Sequence, residues 1–217
     1  MRKAPTITTR AFIQQLKSLQ ADACFNPYTD HCAVYDRYDA PQRRTTLLRR
    51  VLHQAQKQPL DALWLARDLG YRGGRRTGLP LTDDNHIAAH LQRWGLAAPK
   101  LRPTKGKPQA ERTATVIWRQ LANIDATVFF WNVFPLHPHQ SGQPFSNRQH
   151  TAPERQQGEA LLLQLIKLLK PRHIVAIGND AMASAQRVAS GHTLYQARHP
   201  SYGGQTQFER EISNLYG

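Results

Sequence analysis

His173-Ile174-Val175-Ala176-Ile177-Gly178 is a short apolar, β-branched run closed by a glycine, and it sits between two segments of helical character. Upstream, Thr151-Ala152-Pro153-Glu154 has the form of a capping box with proline in the first turn. It leads into Leu161-Leu162-Leu163 and Leu165-Ile166, and the helix so predicted stops before Pro171. Downstream, residues 180–189 read as another helix and Thr193 to Ala197 as a further strand. Working outward, Asp61-Ala62-Leu63-Trp64-Leu65-Ala66 predicts the first buried strand and Thr127-Val128-Phe129-Phe130-Trp131 the second. Helices are expected over residues 8–20, 42–57 and 85–95, with a Gly/Arg-rich loop from Gly70 to Asp84 and a basic loop from Pro99 to Lys107. Strands alternating with helices imply a parallel sheet covered on both faces. The expected fold is therefore α/β, three-layer α/β/α, around a central four-stranded parallel sheet. With 217 residues, no internal repeat and no low-complexity segment, one domain spanning 1–217 is expected.

Composition narrows the partner. Twenty-nine Lys+Arg stand against 15 Asp+Glu, a formal charge of +14, which favours a polyanion, nucleic acid above all. The plainer alternative is a basic soluble protein with no such partner. Arginine predominates and is dispersed, with Arg72, Arg75 and Arg76 clustered in the Gly-rich loop. Their planar guanidinium groups suit phosphate oxygens, although a solvated charged face has the same composition. Two cysteines, Cys24 and Cys32, make no four-cysteine zinc or iron–sulfur site and suggest reduced thiols. Met1 to Pro5 lack the apolar run of a signal peptide, and no stretch has the length of a membrane span. A cytoplasmic monomer is the expectation.

In parallel sheets, ligands bind at the carboxyl ends of the strands. Asp68, Asn132 and His199 follow the first, second and fourth predicted strands. His199 stands where a strand gives way to a Pro/Ser/Gly loop, held by scaffold yet open to a ligand, though such a segment also serves as an ordinary turn. Asp68 and Asn132 have equally plain readings, as a turn cap and a strand-end tie.

The residues Ala66-Arg67-Asp68-Leu69-Gly70, Arg76-Thr77-Gly78-Leu79-Pro80-Leu81, Trp131-Asn132-Val133-Phe134-Pro135 and His199-Pro200-Ser201, in this order and spacing, resemble the uracil-DNA glycosylase superfamily. Asn147-Arg148 and Ile177-Gly178-Asn179-Asp180-Ala181 are similar to bacterial members, and the likeness runs from about residue 24 to 210. It implies a monofunctional DNA glycosylase that hydrolyses the N-glycosidic bond of a flipped pyrimidine and leaves an abasic site. Asp68 would then stabilise the cationic sugar and orient or deprotonate water, and His199 would donate to the departing base. Asn132 would read the base edge. The loop after His199 would serve the DNA, with Ser201 on a phosphate and Tyr202 or Gln205 inserted, unless Tyr202 packs on its own domain. Arg72, Arg75 and Arg76 would hold the backbone.

Three positions depart from the family pattern. Gly70 stands where the uracil-specific branch has a blocking tyrosine, Leu81 where most members stack a phenylalanine on the base, and Arg67 where related branches have Gln or Glu. Together they imply a roomier, more polar pocket, suited to a 5-substituted pyrimidine such as the hydroxymethyl- or glucosyl-hydroxymethylcytosine of some phage DNAs. The chain would then be similar to a phage-defence glycosylase of this superfamily. The alternatives are a uracil-DNA glycosylase of base-excision repair whose stacking ring is Trp131 or Tyr71, a non-catalytic binder of modified DNA, and a hydrolase of free nucleosides. The cluster-binding cysteines of some branches are absent, so no iron–sulfur cluster is expected. His137-Pro138-His139 with His150 lacks an acidic or thiol partner nearby, so no metal or other cofactor is expected either.

Overall fold

The computed structural model describes residues 7–217; the Met1–Pro5 segment lies outside them. Its first half contains α1 (Thr9–Ser18), β1 (Cys24–Phe25), α2 (Ala40–Ala55), β2 (Ala62–Asp68), α3 (Gly74–Thr77), α4 (Ile87–Arg93) and α5 (Arg112–Leu121). The second half contains β3 (Val128–Phe134), β4 (His137–Pro138), α6 (Ala152–Leu169), β5 (His173–Ile177), α7 (Asn179–Val188), β6 (Thr193–Ala197) and α8 (Gln205–Tyr216). Strands β3, β2, β5 and β6 lie side by side in that order, all parallel, as expected. The short β1 and β4 pair antiparallel apart from this sheet.

Alternation along each strand sends successive side chains to opposite faces. Leu63, Leu65, Phe129, Trp131, Ile174 and Ala176 meet α1, α2, α6 and α7 on one face. Trp64, Ala66, Phe130, Val175 and Ile177 meet α5 and α8 on the other. The three-layer α/β/α architecture follows from these two apolar faces. The capping box forms as predicted: the Thr151 hydroxyl accepts from the Glu154 N–H, and the Glu154 carboxylate accepts from the Thr151 N–H at 2.6 Å. Helix α6 comes so close to β3 that a Cβ at Gly158 would lie 2.1 Å from the Val133 carbonyl oxygen.

Two differences from the sequence expectation bear on the site. Strands β2 and β3 run past their apolar runs, to Asp68 and Phe134. The backbone ladder continues through the polar residues, pairing Ala66 with Asn132 and Asp68 with Phe134. Asp68 and Asn132 therefore belong to strands, not to the loops after them. Helices α5 and α8 are also additions. Ala114, Ile117, Trp118 and Leu121 of α5 have the i, i+3, i+4, i+7 spacing of a buried helix face.

Candidate active site

The chain passes from β2 outward to β3, then crosses back to β5 and β6, so the connections diverge on either side of β2. A crevice at such a switch point, beyond the carboxyl ends of the strands, is the usual ligand site of this sheet type. Here it is a cavity of about 430 Å³, lined by the ends of β2, β3 and β5 and by the Arg198–Tyr202 loop. Asp68 continues the face of Trp64 and Ala66, and Asn132 continues the face of Val128 and Phe130. Both thus point to the same side of the sheet, on adjacent strands, offset by one pleat or roughly 7 Å along the strand. Asp68, Asn132 and His199 all line the cavity.

Asp68 is held at both oxygens. Arg67 Nε donates to Oδ2 at 2.7 Å, and His150 Nδ1 meets Oδ1 in a short contact. Arg67 also reaches Asp180 at 3.1 Å, so the cation expected at the pocket rim is there, tied between two carboxylates. His150 entered the sequence reading only as a metal candidate. It lies beside the carboxylate instead, far from any local motif that would have paired the two. His137 bonds the Ser146 carbonyl at 2.8 Å and is buried against Arg75. Among the described residues, no group of three His, Cys, Asp or Glu is placed to hold a metal.

The Ser201 backbone N–H donates to His199 Nδ1 at 3.2 Å, and the Ser201 hydroxyl lies 2.7 Å from the same nitrogen. A nitrogen that accepts from an amide carries no proton. We therefore assign the neutral tautomer with hydrogen on Nε2, which has no partner among the described residues. Burial, with Arg67 and Arg198 close by, pushes this imidazole down to about 4. Ser201, expected on a phosphate, has its hydroxyl engaged with His199 and lines the cavity.

Asn132 is 1% exposed and its Oδ1 has no hydrogen-bond partner. Leu81 lines the same cavity with a left-handed backbone, φ 53°, and its carbonyl is anchored by Trp118 Nε1 at 3.0 Å. Trp131 is fully buried on the opposite face, against Phe12, and offers no ring to a base. Tyr71 carries the Arg72 guanidinium over its ring at 5.2 Å. Gly70 does not leave open space as expected. A Cβ there would lie 2.0 Å from the Glu111 carboxylate, a cavity-lining group that the sequence reading did not single out. Burial and the neighbouring Asp83 carboxylate push Glu111 up to about 7, against a lowering by Arg72.

The DNA-facing expectations divide. Tyr202 is 97% exposed, so it does not pack on its own domain, and its φ of 51° places it in the left-handed region. That conformation costs a tyrosine about 1 kcal/mol. Gln205 is not in the loop but opens α8, with its amide donating to Glu209 at 3.1 Å. Arg72 is exposed, whereas Arg75 and Arg76 are buried at 3% and 6%, which corrects their assignment to the DNA backbone. Arg75 lies 4.2 Å over the Phe25 ring and donates to the Pro144 carbonyl. Arg76 lies 4.2 Å over Tyr35 and donates to Asp84 at 2.9 Å. Aromatic faces enclose both cations, and the buried Asp84 carboxylate pairs with Arg76.

The buried histidines make a testable demand on stability. Burial pushes His90 and His137 down to about 3, alongside His199 at about 4. Between these values and the ordinary 6.5, the unfolded chain binds more protons, so stability falls as pH falls through that window. Each histidine should cost on the order of 2 kcal/mol at pH 5. Glu111, raised, acts in the opposite sense and offsets about one of them. Urea melts at pH 7.5 and 5 should show a clear drop in midpoint; equal midpoints would contradict the burial of these rings.

The fold and site define an α/β protein with a carboxylate, an amide and a neutral imidazole gathered at the strand ends of a parallel sheet. A family model described as the uracil DNA glycosylase superfamily matches residues 47–214, and the chain belongs to that superfamily. Among solved structures, it is similar in fold to wild-type SMUG2 from Pedobacter heparinus, with a TM-score of 0.61 at 14% identity. That match covers 95% of this chain and 96% of the other. Comparison with curated protein sequences gave no match. Among the described residues, no helix is long and apolar enough to cross a membrane.

Proposed function

We propose that the protein is a monofunctional DNA glycosylase. It extrudes a pyrimidine nucleotide, breaks the bond between the base nitrogen and C1′ with water, and leaves an abasic site. The observation that carries this reading is that the Asp68 carboxylate and the His199 imidazole line one cavity. As the glycosidic bond lengthens, positive charge grows on the sugar and negative charge on the base. Asp68, kept in place by Arg67 and His150, stabilises the sugar cation and takes the proton of the attacking water. The Nε2–H of His199 donates to the base oxygen as it becomes anionic, and the base leaves with the bonding pair. Asn132 supplies the amide that reads the base edge. No lysine lines the cavity among the described residues, which favours water over a Schiff-base nucleophile.

The base we assign is a 5-substituted pyrimidine, hydroxymethyl- or glucosyl-hydroxymethylcytosine, of the kind some phages carry; its excision would be an antiviral act. The cavity volume and the aliphatic Leu81 in place of a stacking ring support this reading over plain uracil. Mass spectrometry of bases released from uracil-containing DNA and from modified phage DNA tests it. Release of uracil alone would overturn the substrate; binding without release of any base would overturn the enzyme. Affinity for DNA should fall steeply with salt, as phosphate contacts require.

Tyr202→Ala should lower base release from duplex DNA about tenfold and change release from single-stranded DNA far less. Only the duplex must be unstacked, at a few kcal/mol, before its base can enter the site. Equal losses on both substrates would assign Tyr202 to backbone contact.

A further inference from the structure

We propose that Glu111 is a specificity-determining residue: with the Asn132 amide oxygen it lines the cavity with acceptors that select a base rich in hydrogen-bond donors, a cytosine carrying a hydroxylated substituent. The proposal deepens the glycosylase reading and rests on it.

Glu111 is the residue before α5, and its backbone N–H is anchored by Asp83 Oδ2 at 2.7 Å. Its side chain reaches back over the end of β2. A Cβ at Gly70 would lie 2.0 Å from Oε1, and one at Gly73 would lie 2.1 Å from Oε2. Two glycines thus form the bed of this carboxylate, and neither position accepts a side chain while it is there. Its surroundings do not repay it. Neither carboxylate oxygen receives a hydrogen bond from the described residues, and the charged groups acting on it are Asp83, which repels it, and Arg72. Glu111 is half-buried and lines the cavity, so its unpaired carboxylate is open to a ligand there.

Asn132, on β3, adds a second acceptor: its Oδ1 is buried and has no partner among the described residues. Two acceptors without donors, around one cavity, are complemented by a ligand that brings donors. Cytosine presents an amine where uracil and thymine present a carbonyl oxygen. A carbonyl turned toward Glu111 meets repulsion, whereas an amine or a hydroxyl supplies the missing bond. A site built to hydrogen-bond a substrate group discriminates strongly against an analogue lacking it.

The test compares kcat/KM for release of hydroxymethylated or glucosylated cytosine with that for uracil, from otherwise identical duplexes. Wild type, Glu111→Gln and Gly70→Ala are measured, with thermal melts to confirm folding. Glutamine replaces one acceptor oxygen with a donor, and the alanine methyl, set in the cavity wall at Gly70, displaces the carboxylate. Both variants should lower the ratio of modified cytosine to uracil at least tenfold. Glu111→Gln removes the repulsion with Asp83 and decides the matter alone if Gly70→Ala does not fold. A second readout is the pH profile on modified cytosine. Wild type should gain kcat/KM as pH rises through about 7, as Glu111 ionises, and Glu111→Gln should lose that step; Asp68 and His199 share the cavity but are present in both proteins. An unchanged ratio, or a wild type that prefers uracil, overturns the proposal and leaves the glycosylase standing. A wild type that releases no base from any DNA overturns both.

Discussion

Asp68→Asn should slow base release by about a thousandfold while leaving affinity for substrate DNA intact or slightly higher. The amide fills the same volume at the end of β2, so the cavity keeps its shape. What disappears is the negative charge under the developing sugar cation and the base that accepts a proton from water. General-base catalysis and electrostatic stabilisation are each worth roughly 10²–10⁴-fold and 10²–10³-fold when one group is removed. Here one residue serves both purposes. Affinity should not fall, because an anion has left a surface that meets phosphates and Arg67 remains. Single-turnover rates and equilibrium binding on the same duplex separate the two effects. A variant that releases base at the wild-type rate would remove Asp68 from the mechanism, and parallel loss of binding and rate would make it a docking residue.

The second large effect is expected at His199. His199→Ala should lower the single-turnover rate by roughly 10²–10³-fold, the range found when one donor to a developing oxyanion is removed. The pH dependence carries the finer information. With its folded pKa lowered to about 4, the imidazole is the neutral Nε2–H donor above that value and becomes a cation only as pH falls through it. The wild-type rate should therefore show no inflection near 6.5 that belongs to this ring. An acid limb near 6.5 that vanishes in His199→Ala would mean that the imidazole titrates freely, against the Ser201 N–H bond to Nδ1. Ser201→Ala is informative beside it. It removes the hydroxyl but keeps the backbone donor, so it should cost far less than loss of the ring.

The sheet was legible because its strands are short β-branched and aromatic runs, and α6 because Thr151, Pro153 and Glu154 announce it. Their ends were less so. A polar residue at a strand terminus looks like a loop in sequence, yet the ladder carries Asp68 and Asn132 as strand residues. The cavity-lining Asp68, Asn132 and His199 were recognisable through motif order and position. The residues that tune it were not, since their contacts join distant segments: His150 with Asp68, Glu111 with Gly70 and Gly73. Arg75 and Arg76 misled for a related reason. An arginine beside glycines reads as solvated, and nothing local reveals that Phe25, Tyr35 and Asp84 converge to enclose it.

Those two arginines alter how the charge of +14 should be understood. A cation enclosed by aromatic rings and held by the Pro144 carbonyl or the Asp84 carboxylate cannot reach a phosphate oxygen. It acts as a rivet, locking the Gly70–Asp84 segment so that the bed of Glu111 and the seat of Leu81 hold their shape. The formal charge thus counts two different materials, one exposed to a polyanion and one that stiffens the wall of the cavity.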